Sequence, residues 1–299
     1  MTKITWKEIE TTTGGISPCA RSSHGISFVE KNGGASTPRL VLFGGEATAR
    51  TPLTKHESTW IADLIKNDTN EEEHWKWRPL VSSESDNTST IMPPPRVAHS
   101  QAVVDEKVYI FGGRCGIEIG EKGLNDLWVL DLSGEPGSES WTLIQQNDIN
   151  DGDGGDLPPE PRSFHKMIAV GNDLYVFGGC GANGRLADLH KFDTVKNTWH
   201  NLGSSNILKG RGGANLIHLT ESNRIAVIAG FAGVETNDGH AYNLSTNKWE
   251  DNAIENLTSM RERSVCVSAS APSKKVAFLF GGEVDPSDRG HEGAGGFEG

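Results

Sequence analysis

Cysteine is scarce in this chain, and the four present, Cys19, Cys115, Cys180 and Cys266, are widely scattered with no CxxC pair among them. They read as reduced thiols of the cytoplasm and not as a disulfide framework. Long hydrophobic runs are also lacking, since none approaches the ~20 residues that a membrane span requires. The opening stretch MTKITWKEIETTTGG has no apolar core of the kind a signal peptide needs. Sequons such as Asn67-Asp68-Thr69 then go unused, and the expected location is cytoplasmic. Positive charge is in short supply, with 28 Lys and Arg against 40 Asp and Glu. The resulting net charge of -12 argues against nonspecific binding to nucleic acid or anionic membrane, both polyanions, while leaving room for a small basic pocket. No strong 3.6-residue periodicity speaks for helices.

What the chain does have is glycine, 36 residues of it, and a repeat. RLVLFGGE (39–46), KVYIFGGR (107–114), DLYVFGGC (173–180) and KVAFLFGGE (275–283) align, with a degenerate RIAVIAGF (224–231) between the last two. Each is an apolar run of strand length closed by two small residues, where glycine permits positive φ and a close backbone approach. Upstream of each lies a short strand that opens with arginine: RSSHGISFV, RVAHSQAVV, RSFHKMIAV, RGGANLIHL and RSVCVSAS. Downstream come a third strand, clearest in NDLWVLDL and ADLHKFDT, and a fourth containing tryptophan, as in SWTLIQQ and TWHNLG. Four antiparallel strands in ~50 residues, repeated, describe a propeller blade.

These residues resemble the kelch repeat, whose blades carry a Gly-Gly doublet followed by a spaced aromatic and tryptophan; residues 174–202 are a close match. The expected fold is a single all-β, kelch-type β-propeller over 1–299. Its blades fall at 21–80, 96–146, 162–202 and 211–254, with a partial fifth at 263–299. TWKEIE, within 1–10, is expected to be the closing strand of the last blade. Propellers close by such pairing, which leaves no free edge. The expectation is therefore a six-bladed ring truncated within the fifth blade, lacking on the order of 65 residues at the ~50-residue blade period.

The loops joining second to third strands of a propeller open on one mouth of the channel. The residues after the doublets, Glu46, Arg114, Cys180, Phe231 and Glu283, are thus expected near one another, with Arg185 further along the third loop. Arginine forks suit sulfate, phosphate or carboxylate. Arg21, Arg96, Arg162, Arg211 and Arg263 recur at one place in every blade, as His24, His99 and His165 do in the first three, and so read as architectural. Arg114 and Arg185 do not recur, which favours a functional role. In the last loop, FGGEVDPSDRGHEGAGGFEG, Glu283, Ser287 and His291 stand four apart, but Pro286 and Gly290 argue against a helix. Glutamate, aspartate and histidine suit Fe(II); the bland alternative is a solvated surface loop. NDINDGDGGDLPPEP (147–161) is similar to a calcium loop but lacks the EF-hand spacing.

The order of blade openings, with the stretch GEVDPSDRGH, resembles the plant specifier proteins of glucosinolate breakdown: nitrile-specifier, epithiospecifier and thiocyanate-forming proteins. Their motif Glu-x-x-x-Asp-x-x-x-His puts Glu283 and His291 in register, with Ser287 at the aspartate position. Asp288 lies one residue late, and Asp285 is the alternative ligand. The resemblance implies Fe(II) as cofactor, Arg114 and Arg185 on the sulfate of a small sulfur-containing anionic substrate, and Phe164 against its side chain. It implies nitrile formation with sulfur loss, an iron-dependent lyase-type activity. The main competing reading is a non-catalytic kelch module that binds a protein partner through its loop face. A copper oxidase built on kelch blades would need tyrosine and histidine ligands, which Tyr109, Tyr175 and Tyr242, on ordinary repeat strands, do not supply.

Overall fold

The computed structural model describes residues 15–30, 37–48, 51–66, 73–81, 91–116, 123–145, 156–255, 257, 260–271 and 276–282. They form five antiparallel sheets in sequence order. The first contains β1 (Ser22–Val29), β2 (Arg39–Thr48), β3 (Thr51–Pro52), β4 (Thr59–Lys66) and β5 (Glu73–Pro79), with the one-turn α1 (Lys55–Ser58) leading into β4. The second is β6 (Ser100–Val104), β7 (Lys107–Gly113), β8 (Leu124–Asp131) and β9 (Ser140–Gln145). The third is β10 (Lys166–Val170), β11 (Asp173–Gly181), β12 (Gly184–Asp193) and β13 (Thr198–Ser204). The fourth is β14 (Asn215–Leu219), β15 (Arg224–Phe231), β16 (Glu235–Asn243) and β17 (Lys248–Ala253). A pair, β18 (Val267–Ala271) and β19 (Val276–Phe280), makes the fifth. The first strands β1, β6, β10, β14 and β18 are neighbours in succession, which is the arrangement of propeller blades around a channel.

The core lies between blades. Phe43, Phe111 and Phe177, each just before its doublet, are fully buried. Each meets a tryptophan from the outer strand of the next blade: Trp141, Trp199 and Trp249, at 5.2, 5.1 and 5.9 Å between ring centroids. His99 and His165 press edge-on against Phe43 and Phe111 from the same side, at 5.1 and 5.3 Å. Phe280 of blade five is 54% exposed, and Ile26 and Phe28 of blade one are 55% and 52% exposed.

The doublets do what their glycines permit. Gly44, Gly112, Gly178 and Gly281 take φ between 61° and 68°, and the second glycines φ between 91° and 101°. A Cβ on Gly44 would sit 2.6 Å from the carbonyl oxygen of Arg96 in the next blade, so no side chain fits. Blade four holds the same turn with Ala229 at φ 59°. The second residue of each doublet donates its amide to the following blade's arginine carbonyl: Gly45 to Arg96, Gly113 to Arg162, Gly179 to Arg211 and Gly230 to Arg263, all within 2.8–3.0 Å.

The recurring arginines do not open strands as the sequence suggests. Beyond blade one they lie four residues before the first strand, because the residue two after each arginine turns left-handed: Ser23, Ala98, Phe164, Gly213 and Val265. The turn frees each guanidinium to reach back to the first residue of its own doublet, donating to the carbonyls of Gly44, Gly112, Gly178, Ala229 and Gly281. In three blades an aspartate from the third strand completes the pin: Asp126 for Arg96, Asp188 for Arg162 and Asp238 for Arg211. The left-handed residues also link the blades. Ala98 donates its amide to Ser23, Phe164 to Ala98, Gly213 to Phe164 and Val265 to Gly213, at 2.8–3.2 Å, a continuous belt of backbone hydrogen bonds around the channel.

Candidate functional site

The belt sets the frame of the channel mouth, and the residues after the doublets stand on it. Their backbones are held by pairing with the residue after each recurring arginine. Arg114 exchanges two hydrogen bonds with Val97, Cys180 two with Ser163, and Phe231 two with Gly212. A site on a backbone fixed at both ends presents its side chains in one place.

Blades two to four bring five side chains together there. The Arg114 guanidinium lies over the Phe164 ring, 4.9 Å from its centroid. The Arg185 guanidinium lies over the Phe231 ring at 4.5 Å. Arg185 opens β12 directly across the ladder from Cys180. Burial pushes the Cys180 thiol up, against the pull of both Arg185 and Arg114, so it stays protonated at neutral pH. Both guanidiniums therefore lie within electrostatic reach of the one sulfur. Phe164 Cβ and Cys180 Sγ also crowd the same glycine, Gly212, where a Cβ would meet them at 3.2 and 3.3 Å.

Neither guanidinium has a hydrogen-bonding or ion-pair partner among the described residues. Among the described arginines, Arg114 and Arg185 are the two whose side chains make no hydrogen bond or ion pair, and Arg114 Nε is buried without an acceptor. The recurring arginines, by contrast, are all engaged. A buried N–H without an acceptor is costly, so this one is set up for an acceptor from outside the chain. Each ring covers one face of a guanidinium and leaves the N–H edge, the part that forks onto two oxygens, available.

Sequence reasoning places Arg114, Phe164 and Arg185 at one mouth, and the structure brings all three together. Phe231, in the row after the doublets, gains a defined role only from its contact with Arg185. The metal-ligand candidates Glu283, Asp285, Asp288 and His291 lie outside the described residues, as does the closing strand at 1–10. Gly281 and Gly282, which lead into that last loop, repeat the doublet conformation of the other blades. Among the described residues, no group of three His, Cys, Asp or Glu side chains gathers as a metal site, and no helix is long and apolar enough to cross a membrane.

A family model described as the KLHDC2/KLHL20/DRC7 Kelch-repeats domain matches residues 1–154 and again 138–282. The chain belongs to the kelch-repeat family. Its similarity to individual kelch proteins divides between two kinds. It is 26% identical, over 97% of its own length and 78% of the other's, to N-(sulfonatooxy)prop-2-enimidothioate sulfolyase of Thlaspi arvense. It is 31% identical over 66% of its length to the leucine-zipper-like transcriptional regulator 1 homolog of Drosophila melanogaster, and 28% identical over 58% to human host cell factor 2. It spans 19% of each of those two longer proteins.

Proposed function

We propose that this kelch protein is a specifier-like protein that directs a glucosinolate-type aglucone toward nitrile with loss of sulfur. The observation that carries the reading is the pair of arginines, Arg114 and Arg185, whose guanidiniums make no hydrogen bond among the described residues and both act on Cys180. The substrate named for the Thlaspi arvense sulfolyase carries a sulfonatooxy group and a thioate, two negative charges on a small frame. Two guanidinium edges suit the sulfonatooxy oxygens, because parallel N–H donors match paired oxygens and the charges assist. Phe164 would line the pocket beside Arg114 and meet the substrate's side chain.

In the reaction, the N–O bond breaks with its electron pair leaving on sulfate. The thiolate sulfur gives up a pair as the C–S bond becomes the third bond of the nitrile, and departs as neutral sulfur. Charge and electrons balance within the substrate, with no proton transferred. Arg114 and Arg185 would stabilise the growing charge on sulfate and fix the substrate's orientation. Glu283 and His291, with Asp288 or Asp285, follow the last doublet in sequence; their oxygen and imidazole donors fit Fe(II), which would supply a coordination site for the sulfur.

A second reading is a non-catalytic module that takes a protein partner on the same loop face, favoured by the match to kelch segments of much longer proteins. One experiment separates them. A thioglucosidase cleaves an aliphatic glucosinolate in the presence of Fe(II), with and without the protein, and nitrile and isothiocyanate are quantified. The specifier reading expects a rise in nitrile beyond the iron-only control, lost in Glu283→Gln, His291→Ala and Arg114→Ala. A ratio equal to that control, with folded protein present, leaves the interaction module.

A further inference from the structure

Arg185 poses a physical problem that the structure answers. It is exposed at the first turn of β12, and a free arginine there would sample many rotamers. Its partner across the ladder, Cys180, offers no charge to hold it. What it rests on is Phe231 of the next blade, at 4.5 Å. The backbone of Phe231 is tethered, since its amide and carbonyl both pair with Gly212, at 2.8 and 3.1 Å. Arg114 repeats the arrangement one blade earlier, on Phe164, whose backbone belongs to the belt. In each case a guanidinium from one blade is stacked on a phenylalanine fixed in the following blade. Both guanidiniums act electrostatically on Cys180 Sγ, which ties the two stacks to one thiol.

We propose that Phe231 is a positioning residue for ligand binding: it holds Arg185 so that Arg185 and Arg114 close as two arms of one clamp on a single small oxyanion above the Cys180 thiol. This deepens the reading of the mouth as the seat of a sulfate-bearing substrate, and rests on it for the identity of the anion. Cation–π attraction at exposed sites is worth about 0.5–1 kcal/mol, and ordering the arginine in advance spares rotamer entropy on binding. Loss of the ring is therefore expected to weaken anion binding several-fold without disturbing the blade. The thiol is the clamp's reporter, because an anion held between the arms covers it.

The test uses the full chain carrying Cys19→Ser and Cys115→Ser, which removes the two exposed thiols and leaves Cys180 and the buried Cys266. Inorganic sulfate is titrated by calorimetry, and labelling of Cys180 by an anionic aromatic disulfide is followed with and without sulfate. The expected result is sulfate binding that slows labelling. Affinity should fall roughly fivefold in Phe231→Leu, recover in Phe231→Tyr, and be lost in Arg185→Ala, with unchanged thermal midpoints. Equal affinities for Phe231→Leu and the parent would overturn the proposal, as would equal losses in the Leu and Tyr variants or no sulfate binding by the parent. Glucosinolate products are measured on the same variants. A sulfate clamp without a nitrile shift retains the clamp and discards the specifier reading. A nitrile shift insensitive to Phe231→Leu does the reverse.

Discussion

Arg96 and Asp126 face each other as a two-pronged fork, with Nη1 and Nη2 at 2.6 and 2.8 Å from the two carboxylate oxygens. Both side chains are almost wholly buried, at 0% and 6% exposure. Trp128 Nε1 donates to the same carboxylate at 2.7 Å. Asp126→Ala leaves a buried guanidinium without its counter-charge and is expected to cost about 3–5 kcal/mol in urea unfolding. Arg114→Ala, whose guanidinium makes no hydrogen bond or ion pair among the described residues, is expected to stay within about 0.5 kcal/mol of wild type. Equal destabilisation by the two would refute the division between pinning and ligand-binding arginines.

Acid should loosen the junctions between blades one, two and three. Burial holds His99 and His165 at about 3, well below the ordinary histidine value of 6.5, with Arg96 and Arg162 adding to the effect. Between those values the unfolded chain binds protons that the folded chain refuses. Stability is thus fully present above pH 6.5 and declines as pH falls toward 3, by on the order of 4 kcal/mol per histidine. His165→Ala should lower stability at neutral pH, by leaving a cavity, and flatten this slope. An unchanged slope in denaturation midpoints from pH 7 to 4 would assign the acid response to other groups.

Glu139 ties blade two to β2 and β5 of blade one. Its carboxylate accepts from Arg39 at 3.0 Å and from Arg78 at 2.5 Å, with its side chain 1% exposed. Burial alone would raise its pKa, but hydrogen bonds from Arg78 and nearby backbone amides more than offset this and lower it. The contribution is therefore present above the ordinary glutamate range and lost as pH falls below it. Glu139→Gln is expected to cost about 2 kcal/mol at pH 7, while Glu135→Gln, on the exposed turn before it, should cost nothing measurable. Matched urea midpoints for the two variants would sink the assignment.

Phe164 occupies a left-handed backbone position, φ 55°, that blade four fills with Gly213. Phe164→Gly removes the platform under Arg114 and relieves backbone strain of about 1 kcal/mol. The expected outcome is weakened sulfate binding by calorimetry with a melting temperature close to wild type. Undiminished sulfate affinity would show that the stack on Phe164 does not orient Arg114.

Much of this molecule is legible in one dimension because a blade is a local object. Alternating apolar runs, a doublet that must take positive φ, and an outer-strand tryptophan all lie within ~50 residues, so their spacing alone specifies strand, turn and strand. The same logic marks the recurring arginines as structural, since a residue that returns with the blade serves the blade. Their acid partners, Asp126, Asp188 and Asp238, were not apparent, because nothing in a third strand distinguishes a pinning aspartate from a solvated one. The belt through Ser23, Ala98, Phe164, Gly213 and Val265 has no sequence signature either: at every position but Gly213, left-handed φ falls on a side chain that does not favour it. The sequence by itself determined the kelch blade and drew Arg114 and Arg185 to one mouth, with Phe164 added by the family resemblance. Only the tertiary structure decided that the Arg114 and Arg185 guanidiniums make no hydrogen bond among the described residues, that Phe231 supports one as Phe164 supports the other, and that both act on Cys180. Those relations join different blades, and packing across the blade junctions is what brings them into contact.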